Sequence, residues 1–145
     1  MLEVKNNNLI IDDKTRAIDE INMIQSAKGK LYFSNSIVEI SENSHDINEV
    51  YKKLQSAGFN NFILLNNVIV NVDNIDSLQR KYFQYAGISI IQCDKENYEM
   101  CMLVLNCKNN SSENISYGSC EDMEKDYNAI HNAMIDLKND QLASL

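Results

Sequence analysis

The sequence predicts a single α+β domain over residues 1–145: a mixed or antiparallel sheet of about five to six strands packed with about four helices. The last helix is acidic and amphipathic. Three observations lead there. Apolar residues make up 44% of the chain and charged residues 23%, the proportions of a protein that folds around a core. The apolar residues fall in short runs, some at helical and some at strand spacing, and no tract approaches the roughly 20 apolar residues of a membrane span. A long C-terminal segment then combines an apolar stripe with most of the excess negative charge.

Taken in order, residues 8–11 (Asn-Leu-Ile-Ile) read as a short strand, with Asp12 or Asp13 as a helix N-cap. Ala17, Ile18, Ile21, Ile24 and Lys28 repeat at steps of three and four and predict a first helix that stops at Gly29. Leu31-Tyr32-Phe33 and Ile37-Val38-Glu39-Ile40 are strand segments around a turn at 34–36, forming either one strand or a hairpin. Ile47, Val50, Tyr51, Leu54 and Ala57 give the clearest helical face, begun by Ser44 or Asp46 and ended by Gly58. Phe62–Leu65 and Val68–Val72 predict a hairpin across Asn66-Asn67, a pair able to adopt positive φ. Ile75, Leu78, Tyr82 and Ala86 return to helical spacing and predict a third helix closed by Gly87. Ile88–Ile91 and Met100–Leu105 are apolar on both alternating faces, as central strands are, with the polar loop 94–97 between them. Residues 108–118 have the composition of a flexible loop. Ser119 and Asp122 then form a capping box for a helix whose stripe is Met123, Tyr127, Ile130, Met134 and Leu137.

The net charge of −8 is uneven. Residues 1–60 hold 7 basic and 9 acidic groups, residues 61–110 hold 4 and 5, and residues 111–145 hold 2 and 7. The last segment therefore supplies −5 of the −8. Such a field opposes phosphate contacts, which need clustered Lys and Arg, and favours a basic protein partner by steering. The expected partner-binding residues are Glu121, Asp122, Glu124 and Asp126. A purely structural account also exists, because carboxylates in the first turn of a helix stabilise its dipole.

Chemistry finds little to stand on. The cysteines at 93, 101, 107 and 120 are spaced by eight, six and thirteen residues, without the close pairs that pre-place zinc ligands, so buried free thiols are expected and no metal. His45 sits at a predicted helix start, and His131 lies one position from the apolar stripe; neither has a nucleophile at a telling spacing. Gly29, Gly58, Gly87 and Gly118 make no phosphate-binding loop. Adjacent carboxylates such as Asp12-Asp13, Asp19-Glu20 and Glu121-Asp122 splay apart on a helix. No catalytic residue and no cofactor are expected.

The order of helix, Phe and strand across Ile47–Leu54, Phe62–Leu65 and Val70-Asn71-Val72-Asp73-Asn74-Ile75 resembles bacterial LytTR-type DNA-binding domains in outline, over about 30 residues. The basic side chains that such a domain would present are missing, and no assignment rests on the resemblance. Met1–Asn8 lacks the basic and apolar regions of a secretory signal, which gives the cytoplasm as the expected compartment and reduced thiols. The chain holds 21 asparagines and no proline or tryptophan, a usage pointing to AT-rich coding DNA of a low-GC bacterium, its phage or a mobile island. Together these features lead to the expectation of a small acidic binding protein. Its role would be an immunity or antitoxin-type inhibitor that neutralises a basic nuclease toxin by direct contact, without nucleic acid or membrane. A phage inhibitor of a host defence effector and a domain using Cys or His chemistry are the alternatives.

Overall fold

The computed structural model describes residues 2–28, 30–34, 38–40 and 46–143. Among these the chain is mostly β, with twelve strands in three antiparallel sheets and two α-helices. The α+β expectation of five to six strands and four helices is thereby corrected: two of the four predicted helices are β-structure.

Strands β1 (Leu2–Lys5), β2 (Asn8–Ile11) and β3 (Lys14–Ala17) form a three-stranded meander. Asn6 and Asn7 turn the first hairpin with φ of 53° and 63°, a left-handed pair that asparagine tolerates and that matches the strand twist. Where the first helix was expected, the chain instead makes the end of β3, a 3-10 turn at Ile18–Glu20 and strand β4 (Met23–Ala27). Ile18, Ile21 and Ile24 are all buried, so their spacing did report a core. They reach it from a turn and a strand rather than from one helical face.

β4 is the middle of a five-stranded sheet with β5 (Lys30–Ser34), β6 (Val38–Ile40), β7 (Phe62–Leu64) and β8 (Val68–Asn71), in the order β6-β5-β4-β8-β7. β5 and β6 pair antiparallel as two strands, which answers the open choice for residues 31–40 against one continuous strand; Gly29, residues 35–37, Ser44 and His45 lie outside the described residues. Helix α1 (Ile47–Ser56) is as predicted. The Asp46 carboxylate accepts the Asn48 N–H at 2.9 Å, and the helix closes with Gly58 at φ 91°, its N–H on the Gln55 carbonyl and that of Phe59 on Leu54. A glycine suits that position because the left-handed backbone costs it nothing. The β7–β8 hairpin also forms across Asn66-Asn67. Neither residue takes a positive φ; the Asn67 carbonyl instead accepts the Ser26 N–H at 2.8 Å, which ties the turn to β4.

The predicted third helix is strand β9 (Ile75–Ala86), the longest in the molecule's described residues. Leu78, Tyr82 and Ala86 are four apart, and four residues return to the same face of a strand as surely as they do to a helix. Aromatic residues at 82, 83 and 85 favour the strand. β9 pairs on one side with β10 (Ser89–Cys93) and on the other with β11 (Met100–Cys107), and β11 pairs with β12 (Ser112–Tyr117). β11 is central and buried, as expected. β10 is a solvent-exposed edge, so the run Ile88–Ile91 is not central, and segment 94–97 crosses over β9 rather than closing a hairpin. Most of the stretch read as a flexible loop, 108–118, is β12. Helix α2 (Cys120–Ala143) follows, with the Ser119 hydroxyl accepting the Asp122 N–H at 3.4 Å.

The five-stranded sheet divides two cores, because adjacent residues along a strand point to opposite faces. Ile24 and Ile69 join one cluster with Leu9, Leu31 and the α1 residues Val50 and Leu54. Met23, Val68 and Val70 join the other with Leu103, Leu105, Met123 and Ile130 from the second half of the chain. Asparagines fasten the seam. Asn71 is fully buried; its amide donates to the Ile21 carbonyl at 2.8 Å and its Oδ1 accepts from Asn61 Nδ2 at 2.7 Å and from the Asp73 N–H at 3.2 Å. Asn74 Nδ2 donates to the Asp19 carbonyl at 2.9 Å and to Asn22 Oδ1 at 3.1 Å, and Asn22 Nδ2 donates to Ser111 Oγ at 3.0 Å. Asn71→Ala strips partners from buried groups that water cannot reach, at about 1–3 kcal/mol per group. The variant is expected to lose about 2–4 kcal/mol of stability by urea unfolding, whereas Asn66→Ala in the exposed turn changes it by less than about 0.5 kcal/mol.

Candidate functional site

Helix α2 lies on one face of the β10-β9-β11-β12 sheet, with Met123 and Ile130 fully buried and Tyr127, Met134 and Leu137 half-buried. This is the predicted stripe, and it fixes where the predicted acidic contacts point. Glu121 and Asp122 are exposed at the helix start. Glu124 and Asp126 are engaged within the chain. Arg80 of β9 donates from one guanidinium nitrogen to both Glu124 oxygens, at 2.9 and 3.1 Å, and stacks 4.2 Å above the Tyr127 ring. The Tyr117 hydroxyl donates to Asp126 Oδ2 at 2.7 Å. The four carboxylates therefore split into an exposed pair and a pair that fastens α2 to β9 and β12.

Around the Arg80–Glu124 pair lies an open groove lined by Leu78, Tyr82, Lys95 and Tyr127. Tyr82 packs against Tyr98 with ring centroids 6.0 Å apart. His131 is exposed and stacks on Tyr127 at 5.8 Å.

All four cysteines are free. Cys101, Cys107 and Cys120 are buried, and the thiols of Cys101 and Cys107 donate at 3.7 Å to the carbonyls of Tyr117 and Leu105. Burial raises both thiol pKa values above the ordinary range, holding the neutral form that is a poor nucleophile and a poor metal ligand. Cys93, on the edge strand, is raised by desolvation and then by Asp94 and Glu99. Among the described residues no three His, Cys, Asp or Glu side chains gather in a metal-binding arrangement, and no helix is long and apolar enough to cross a membrane.

Sequence reasoning missed a second surface. In the β9–β10 hairpin Tyr85, Ile90 and Ile91 are 56%, 53% and 44% exposed, and Ile88 at its tip is fully exposed. The available signal was that residues 82–93 contain no charged side chain in a chain that is 23% charged. The run was read as buried because it is apolar, although an edge strand can be apolar and exposed.

The whole is thus a mostly β protein of antiparallel sheets with one long acidic helix. No protein-family model matches the chain, and no curated protein matches it. Among solved structures it is similar to the LytTr DNA-binding domain of a methyl-accepting/DNA response regulator from Bacillus cereus, at a TM-score of 0.40 and 13% identity, over 80% of this chain and 84% of that one. A likeness of that degree assigns no activity to this chain. The expectation of a basic protein partner to the exclusion of nucleic acid is withdrawn. The physical reason is that net charge is a sum: residues 111–145 carry −5 of it, and the sum says nothing of the rest of the surface, which is close to neutral.

Two outcomes follow from these environments. Cys101 and Cys107 are expected to stay unalkylated by iodoacetamide at neutral pH over the time in which the urea-unfolded chain is fully modified; mass spectrometry of the digested protein reads the sites. Burial and the hydrogen bond to Asp126 raise the Tyr117 pKa above its ordinary 10.0. A raised folded-state pKa gives stability that is complete below the unfolded value and is lost as pH climbs through and beyond it. Wild-type stability should therefore fall more steeply above pH 10 than that of Tyr117→Phe, measured by urea unfolding across the alkaline range.

Proposed function

We propose that the chain is an inhibitor of the immunity or antitoxin type, acting by direct protein contact through the solvent side of α2. One observation carries this reading: Ile135 and Leu142 are 46% and 57% exposed on a helix whose outward side also bears exposed Glu121, Asp122 and Asp136. Ile135 and Leu142 are seven residues apart on one side of the helix, with Lys138 between them and Asp136 beside them, so they form an apolar anchor pair that supplies affinity while nearby charge supplies orientation and rate. The inner side of the same helix is anchored to the sheet by Met123, Ile130, the Arg80–Glu124 pair and the Tyr117–Asp126 bond. The outer side is thus presented without a conformational step, which limits the entropy lost on binding. Small size, acidity and an AT-rich coding usage support the inhibitor class over other binding proteins.

Co-expression with the protein encoded beside it in its genome tests the proposal. The expected result is protection of the cells and a complex that co-purifies. Ile135→Lys and Leu142→Lys should each weaken that complex at least tenfold, about 1.4 kcal/mol, with the far-UV circular dichroism unchanged. Absence of both protection and a complex would overturn it.

A further inference from the structure

We infer that the chain forms a two-fold symmetric dimer by antiparallel pairing of β10 with β10 of a second copy, joining two four-stranded sheets into one. The surface is separate from α2, so the inference stands or falls apart from the inhibitor reading.

β10 is an edge strand, paired to β9 alone in unbroken register from Ser89↔Ala86 to Cys93↔Tyr82. Exposed edges invite pairing with another chain, and proteins that must avoid it place charge, proline, a bulge or a covering element there. Other edges of this molecule are protected in that way: β1 carries Glu3 and Lys5, β3 carries Lys14 and Arg16, β12 carries Glu113, and β7 packs against α1. β10, with the sequence Ser-Ile-Ile-Gln-Cys, has none of these devices.

Main-chain geometry then selects the pairing. The Phe83 carbonyl and the Tyr85 N–H bond to Glu99 on the β11 side of β9. In an antiparallel strand both polar groups of a residue point the same way and alternate along the chain. Tyr82, Gln84 and Ala86 therefore face β10, and through their partners Cys93, Ile91 and Ser89 they leave the N–H and C=O of Ile90 and Gln92 pointing outward. A two-fold axis through Ile91 sets Ile90 of each copy opposite Gln92 of the other, giving about four main-chain hydrogen bonds. The same axis brings the two Ile91 side chains together as a close non-hydrogen-bonded pair.

The self-complementary register fits a second copy as the occupant. The excess negative charge of the chain is concentrated in residues 111–145, which repel a copy, whereas residues 82–93 carry no charged side chain and let one approach. With the axis through Ile91, residues 89–93 of the two copies face each other and none of them is charged, so no like charges meet within the pairing. The interface is isologous and closes on itself.

Sedimentation equilibrium of the full chain tests this. Wild type should show a concentration-dependent species of twice the 16.6 kDa chain mass. Ile91→Lys and Ile91→Glu, which set like charges against each other across the axis, should each remain at 16.6 kDa, and an equimolar mixture of the two should recover the dimer. Ile90→Pro removes an outward N–H without touching the β9 ladder and should also be monomeric, which carries the test should a charged variant fail to fold. A wild type monomeric up to its solubility limit, or a dimer that survives in all three variants, would overturn the inference. Dimerisation with no protective partner would leave it standing and sink only the inhibitor reading.

Discussion

The buried amide of Asn71 is the constraint on which the two halves depend. It sits where β8 ends and the chain leaves the five-stranded sheet for the second one, in a place with no water to satisfy polar groups. Its side chain binds the Ile21 carbonyl, and its main-chain N–H binds the Asn22 carbonyl at 2.9 Å. From there Asn22 and Asn74 carry the connection to Ser111 in the β11–β12 turn and to the Lys108 N–H, which donates to the Asn74 carbonyl at 2.8 Å. Hydrophobic burial supplies most of the folding free energy but is indifferent to direction. The amides supply direction, since each bond is satisfied in only one arrangement of β4, β8 and β11. The abundance of asparagine is thus partly architectural, in this seam and in the left-handed turn at Asn6-Asn7.

What could be read from the sequence was the location of the core more than the identity of the elements. Ile18, Ile21, Ile24, Leu78 and Tyr82 were singled out as inward-facing, and the three isoleucines are fully buried. Their spacing was assigned to helices because steps of three and four suit a helix, and the alternatives were invisible to a pattern rule. A step of four also suits a strand, and a turn followed by a strand imitates steps of three. α1 and α2 were legible because each adds a second, independent signal: a carboxylate or hydroxyl cap that the structure uses, at Asp46 and Ser119, and a full polar opposite face. The first segment offered Asp12 or Asp13 as a cap, but Asp12 takes a positive φ in the turn between β2 and β3 instead. β12 was missed because Ser112, Asn114 and Ser116 face outward and leave Ile115 as its one fully apolar inward residue.

The candidate site was legible by composition and not by role. Four carboxylates in one turn and a half of helix look equivalent in sequence, yet Arg80 and Tyr117 engage two of them within the chain. Neither partner could be named without knowing that β9 and β12 lie under α2, a fact of sheet order. Arg80 is 44 residues from Glu124 in sequence. The division has a structural sense: the inner carboxylates tie α2 to β9 and β12, and the exposed residues of the helix remain on its solvent side.

The sheet beneath α2 shows how far one element's charge can shape another's. α2 covers one face of the sheet and brings its excess negative charge to that side. A strand at the far edge that carried acidic residues would add to the same repulsion between copies, and lysines there would invite the chain's own acidic helix from a neighbouring molecule. Neutral residues from Tyr82 to Cys93 avoid both. The cost is an apolar edge whose main chain is open to pairing, and an edge of that kind leads to continuing fibres only when the added strand leaves a second open edge of the same type. Here the opposite edge, β12, carries Glu113 and lies beside α2, so pairing through β10 consumes the one vulnerable edge of each sheet and stops at two.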